Sequence, residues 1–234
     1  MQKLDMLYEG KAKKVFKTED EDLLIVEYKD DATAFNGLKK GTILGKGVIN
    51  NKMTNLIFKY LGEKGIETHL VEELSDRETL VKKVSIVPLE VIVRNTAAGS
   101  FSKKFGIEEG TNLRSPILEF SYKNDELGDP MINNMQILAL DLATKEELEN
   151  ICDQVLKINE LMKEFFFKKG IKLIDFKVEF GRCKGKILLA DEVSPDTCRL
   201  WDIKTDEKLD KDRFRRDLGN VEDAYEEVWR RISS

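Results

Sequence analysis

Along residues 174–180, apolar and charged side chains alternate without a break. Ile174, Phe176, Val178 and Phe180 fall on one side, and Asp175, Lys177 and Glu179 on the other. Successive residues of an extended chain point to opposite faces, so the pattern predicts a strand with one apolar and one charged face. A second strand-like run, 187–190, follows and is interrupted by Asp191 and Glu192. Between them, Arg182-Cys183-Lys184-Gly185 reads as a hairpin loop. A loop centred near Gly185 sets Glu179 roughly opposite Asp191. Like charges so opposed destabilise a hairpin unless a cation lies between them. Magnesium suits that place, because it takes one or two carboxylates and lets phosphates and water complete its shell. A hairpin with one wet, charged face is the commoner fate of such alternation. The polar tail Ser194-Pro195-Asp196-Thr197-Cys198-Arg199 moves the reading toward the metal.

Composition closes off several function classes. A net charge of −5 gives no basic stripe of the kind a general nucleic-acid binder needs. The three cysteines, Cys152, Cys183 and Cys198, form no Cys-x-x-Cys pair, which points away from a zinc site or a disulfide framework. The only histidine is His69, so nucleophile triads built on histidine are poorly supported. Carboxylates, lysines and arginines must then carry any chemistry. The first residues do not read as a signal peptide and no apolar run reaches membrane length, so a cytoplasmic protein is expected.

Strands are expected at 7–9, 12–17 and 23–28, with a helix over 48–63 and further strands at 67–71, 80–86 and 90–94. The clearest helix spans 145–169. Thr144 and Glu147 form a capping-box pattern before it, and Leu148, Ile151, Val155, Leu156, Met162 and Phe166 build its buried side. A last helix, 221–232, buries Ala224, Tyr225, Val228 and Ile232. At 234 residues this is one large domain or two intimate lobes of α+β class, with a boundary near Pro88.

The glycine-rich segment 41–47 is not a phosphate loop: it is one residue short of that pattern, and Gly47 stands where a magnesium-binding hydroxyl belongs. At Tyr8-Glu9-Gly10-Lys11-Ala12-Lys13 two strands meet at a glycine, with Lys11 and Lys13 on one face. This is either a phosphate grip or a solvated hairpin. Arg94 ends the apolar run 91–93 and leads into Asn95-Thr96-Ala97-Ala98-Gly99-Ser100. Ser100 is expected to cap a short helix over 101–105, an anion-binding arrangement. The run 210–216 is mixed in charge and carries little weight alone.

Taken in order, five segments resemble the SAICAR synthetase family of purine biosynthesis. They are LYEGKAK (7–13), VRNTAAGS (93–100), DFKVEFG (175–181), DEVSPDTCR (191–199) and DKDRFR (210–215). The resemblance covers nearly the whole chain. It implies a two-lobed α+β fold distantly like kinases and ATP-grasp enzymes, with antiparallel sheets and flanking helices. Residues 1–87 would hold ATP, and residues 88–234 the metal and the other substrates. The family joins carboxyaminoimidazole ribonucleotide (CAIR) to L-aspartate through an amide and splits ATP to ADP and phosphate. By position, Lys11, Lys13 and Lys123 would hold ATP, with Lys82, Val84 and Ile86 at the adenine. Glu179 and Asp191 would bind Mg2+. Arg94, Ser100 and Arg199 would grip the CAIR phosphate or carboxylate, with Asp196 on its ribose or base. Lys177 would sit beside the transferring phosphoryl group. Asp175 would orient or deprotonate the aspartate amine, and Arg215 would pair with a carboxylate. The region 31–37 would be near the substrates, with its roles left open. The resemblance also implies a homo-oligomer, with a dimer favoured, and neither nucleic acid nor membrane as partner. A kinase-like phosphotransferase for a small alcohol would show a similar metal hairpin and lysines. Arg94, Ser100 and Arg199 separate the two readings, since an amide ligase must hold a second anionic substrate.

Overall fold

The computed structural model describes residues 1–34 and 38–234. Strands β1 (Met6–Glu9), β2 (Lys13–Lys17), β3 (Leu23–Tyr28), β4 (Asp31–Ala34) and β5 (Lys39–Thr42) precede helix α1 (Lys46–Glu63). Then come β6 (Leu70–Glu73), β7 (Glu78–Lys82), β8 (Ser85–Ile86), β9 (Leu89–Thr96), α2 (Gly99–Phe105), β10 (Asn112–Tyr122), β11 (Met131–Ile132), α3 (Asn134–Ala139) and α4 (Lys145–Lys168). Strands β12 (Ile171–Cys183), β13 (Lys186–Ala190) and β14 (Cys198–Asp202) lead to α5 (Asp212–Arg215) and α6 (Val221–Ile232). This is the α+β architecture expected, with two main antiparallel sheets and flanking helices.

The first sheet has the order β1-β2-β3-β7-β6. The second runs β11-β10-β9-β12-β13, with β14 and β8 also paired to β12. Strand β12 is therefore the hub. It exposes one edge to β9 and then β8, and the other to β14 and then β13. Phe176, Val178 and Phe180 enter the main core as the alternation predicts, but an irregularity between Leu173 and Asp175 breaks the alternation there: Leu173 joins that core and Ile174 packs in a separate buried cluster with Ala98 and Trp201. Each such side chain contributes about 1.5–3 kcal/mol of transfer free energy.

Helix α4 covers this core through Leu148, Ile151, Val155, Ile158, Met162 and Phe166. Leu156, expected inside, is exposed, and Ile158 takes its place because the helical repeat returns to the core at that position. The Thr144–Glu147 capping box forms, with both reciprocal bonds present. The strand expected over 80–86 is broken into β7 and β8, which serve different sheets. Helix α6 buries the four residues foreseen for it and packs on α1. Among the described residues no helix is long and apolar enough to cross a membrane.

Candidate active site

The expected opposition of Glu179 and Asp191 is off by one residue. The hairpin pairs Glu179 with Ala190 and Cys183 with Lys186, so only Lys184 and Gly185 form the turn. On a regular strand, Asp191 would then point to the apolar face. It does not continue the strand: its backbone is left-handed, with φ 61°. Aspartate tolerates that conformation better than most residues.

This break starts a larger excursion. Strands β13 and β14 lie end to end along one edge of β12, with Ala190 opposite Glu179 and Cys198 opposite Phe176. Residues 191–197 bulge out over the short interval between them, and the Lys177 N–H donates to the Thr197 carbonyl at 2.9 Å. The bulge carries Asp191, Glu192 and Asp196 to the charged face of β12. Close packing across this hub depends on Gly181, where a Cβ would collide with the Val84 side chain.

Three neighbouring strands set a row across that face. Asp175 on β12 lies opposite Arg94 on β9 and Arg199 on β14. Arg94 Nη1 donates to Asp175 Oδ2 at 3.1 Å, and Arg199 Nη1 donates to the same oxygen at 2.9 Å and to Oδ1 at 3.1 Å. Arg94 also pairs with Glu119. Asp212 joins Arg199 to Arg215, at 2.9 and 2.6 Å. One step along, Lys177 pairs with Glu90.

The carboxylates meet lysines. Lys123 pairs with Glu179, while Lys13 lies 2.5 Å from Asp191 and 3.0 Å from Glu192. Lys11 reaches Asp125 at 2.8 Å. Burial and then the neighbouring Asp191 push Glu179 up to about 7, against the pull of Lys123. Burial also disfavours charge on Asp191, but Lys13 outweighs it and holds that carboxyl below its ordinary value. A buried pair with one member so raised is short of positive charge. Among the described residues no three His, Cys, Asp or Glu side chains are placed to hold a metal ion together. Two hard oxygen donors, with the remaining positions left to phosphates and water, fit magnesium and do not fit a closed zinc cage.

Two adjoining cavities open here. The larger, about 880 Å³, lies between the sheets and is lined by Lys11, Lys13, Lys82, Val84, Ile86, Lys123, Glu179 and Asp191. Val15, Val26 and Val81 extend its apolar wall. The smaller, about 110 Å³, is lined by Arg94, Ser100, Asp175 and Arg199. Lys177, Asp196 and Arg215 line both. Every residue to which the family resemblance gives an individual role thus borders one cavity or both.

One local expectation fails. Ser100 does not cap α2: Ala98 holds that position without a side-chain bond, and Ser100 lies within the helix. Of the region 31–37, Asp31, Thr33 and Ala34 line the larger cavity, while Phe35, Asn36 and Gly37 lie outside the described residues.

Sequence reasoning passed over Glu90, Glu192, Lys211 and Lys46. Glu90 had a signal, since it shares the phase of Arg94 along β9. Lys46 had none: it begins α1 within the glycine-rich segment, and only the fold reveals that it is fully buried against Asp196. His69 is a buried residue packed edge-on against Phe58, and burial lowers it to about 4. It is therefore a neutral member of the cleft wall.

Known proteins match this arrangement over its full length. The SAICAR synthetase family model matches residues 6–232. The phosphoribosylaminoimidazole-succinocarboxamide synthase of Lachnoclostridium phytofermentans is 68% identical over 232 residues, 99% of each chain. The crystal structure of the synthase of that name from Ehrlichia chaffeensis superposes with a TM-score of 0.97 at 50% identity, covering 98% of each chain. A SAICAR synthetase solved in complex with ADP superposes at 0.95 with 49% identity, covering 98% of this chain and 97% of the other.

Proposed function

Since the chain belongs to the SAICAR synthetase family of carbon–nitrogen ligases, we propose that it activates the carboxylate of CAIR by phosphoryl transfer from ATP and couples it to L-aspartate. A carboxylate is a poor electrophile for an amine. Transfer of the γ-phosphoryl group to a carboxylate oxygen makes an acyl phosphate. The aspartate amine then attacks the carbonyl carbon: a C–N bond forms, the C–O bond to phosphate breaks, and the proton lost by the amine passes to the departing phosphate. Such transfer depends on positioning and charge neutralisation more than on covalent chemistry by the protein.

The observation that carries this reading is the pair of adjoining cavities with Lys177 on the wall of both. The larger has an apolar end at Val84 and Ile86 for a base, and Lys11, Lys13 and Lys123 for phosphates. The smaller is built on Arg94 and Arg199, suited to the phosphate or carboxylate of a second substrate. A phosphotransferase for a small alcohol would have no use for that arginine pair. Lys177, at the junction, is the group we assign to the phosphoryl group in flight. Arg215 would pair with a substrate carboxylate. Both Asp175 oxygens accept from guanidiniums, so its role is to align Arg94 and Arg199 rather than to take a proton from the amine. Glu179 and Asp191 would hold Mg2+, which supplies neutralisation of phosphate charge when bound. On this reading Lys13 and Lys123 exchange their carboxylate partners for phosphate oxygens when ATP enters. Residues 1–87 act as the ATP-side lobe of a cytoplasmic homo-oligomer.

Oxygen transfer tests the acyl phosphate. CAIR labelled with 18O in its carboxylate is converted with unlabelled ATP, aspartate and magnesium. The expected phosphate product carries one labelled oxygen per turnover. Unlabelled phosphate would exclude the route.

A further inference from the structure

We infer that Lys46 is a positioning residue for the ligase reaction, acting from behind the site by fixing Asp196. The inference rests on the proposed role of Asp196 as a contact to CAIR. Lys46 is the first residue of α1 and is 0% exposed. That place is unfavourable on two counts. A buried ammonium has lost its hydration, and the positive end of the helix dipole repels a cation in the first turn. Its ammonium lies 2.9 Å from Asp196 Oδ2, its one ionic partner among the described residues. A buried ion pair is weak ground for stability, since apolar residues of similar volume commonly do as well. Stability alone therefore does not account for the pair.

The surroundings of Asp196 do. Lys211 approaches the same oxygen at 3.2 Å, and the Tyr225 hydroxyl donates to Oδ1 at 2.7 Å. The Asp196 N–H donates to Ser194 Oγ at 3.1 Å, closing a turn within the 191–197 bulge. One carboxylate is thus held by three side chains, and it borders both cavities. Of the two lysines, Lys211 lines the larger cavity and Lys46 lines neither. The two divide the work. Lys211 is free to turn toward a ligand, while Lys46 remains as the fixed counter-charge. With Lys46 in place, Asp196 keeps its orientation and its charge when Lys211 leaves, and its unused lone pairs stay available to hydroxyl or amine donors of CAIR. The glycine-rich segment preceding α1 then has a use other than holding phosphate. Gly45, left-handed at φ 79°, starts the helix so that its first side chain enters the protein interior.

Steady-state kinetics with CAIR and ATP varied separately test this, using Lys46→Met, Tyr225→Phe, Asp196→Asn and the double variant Lys46→Met/Asp196→Asn. Lys46→Met should raise the KM for CAIR roughly tenfold or more, as loss of a buried charge partner does, and leave the KM for ATP within about twofold. The double variant should be no worse than Asp196→Asn alone, because Lys46 acts through that carboxylate. Tyr225→Phe, nearly isosteric, should move the same constant in the same direction by less. Equal effects on both substrates, no effect, or multiplication of the Lys46 and Asp196 defects would overturn the inference. An Asp196→Asn enzyme with an unchanged KM for CAIR would overturn the reading on which it rests. If Lys46→Met alone fails to fold, the double variant removes both charges together and Tyr225→Phe leaves them in place. A double variant weaker toward CAIR than Asp196→Asn, or a Tyr225→Phe enzyme unchanged toward CAIR, would then be decisive against it.

Discussion

At the scale of single residues, charge placed against burial is what distinguishes this site. Glu179, raised to about 7 by burial and by Asp191, sits beside a carboxylate that Lys13 keeps ionised. Asp191→Asn should leave the fold intact, since asparagine also accepts a left-handed backbone. It should lower magnesium-dependent turnover by roughly 10²-fold or more. Circular dichroism and a magnesium titration of activity check this, and near-normal turnover would remove Asp191 as a ligand. The family resemblance, position by position, names residues that line the two cavities, whereas the phase of charges along β12 by itself marks only Asp175, Lys177 and Glu179. Neither marks Lys46. Nothing in the segment 41–47 says that a lysine there is enclosed on all sides, since its partner, Asp196, lies 150 positions away in the chain.

Elements position these residues through register, where sequence reading was weakest. Alternation predicts the two faces of β12 from Asp175 onward, because a period of two is a property of any regular strand, and fails at Ile174, where the irregularity after Leu173 breaks the period. The pairing with β13 differs from expectation by one residue because register follows the centre of the turn: a turn centred on Gly185 sets Glu179 opposite Asp191, whereas the two-residue turn Lys184-Gly185 sets it opposite Ala190. The left-handed Asp191 was likewise invisible, although it delivers the carboxylate. The Thr144–Glu147 capping box was legible because its bonds are local. Tertiary ties between elements were not. Glu109 forms one: it accepts from Arg216, just past α5, and from the Gly99 N–H at the start of α2. The Arg216 bonds are the main cause that brings Glu109 to about 2 from an ordinary 4.5. A lowered folded value means that the unfolded chain takes up the proton first as pH falls. The tie therefore stabilises fully above about pH 4.5 and loses its effect as pH falls toward 2. Unfolding free energies of wild type and Glu109→Gln from urea titrations should differ most above pH 5, by no more than about 1 kcal/mol for so exposed a pair, with the gap narrowing below pH 4.5 and closing as pH reaches about 2. A gap that stays constant with pH would contradict the assignment.

For the whole molecule, the α+β class follows from strands giving way to long helices; the three helices read from periodicity are present as α1, α4 and α6, while the short α3 and α5 carry too few turns to show a period. The order of strands in the two sheets was not legible, since β12 collects partners from residues 85 to 202 and such long-range pairing leaves no local signal. Five short segments, scattered over most of the chain, nevertheless converge on two adjoining cavities. Their convergence makes sense if one site must hold a nucleoside triphosphate and a second anion at once. The claim is tested most directly by following ADP release from ATP and magnesium while CAIR and L-aspartate are supplied singly and together. The account predicts rapid, stoichiometric ADP formation only when both are present, with SAICAR formed in equal amount. Sustained turnover with either one omitted would contradict it.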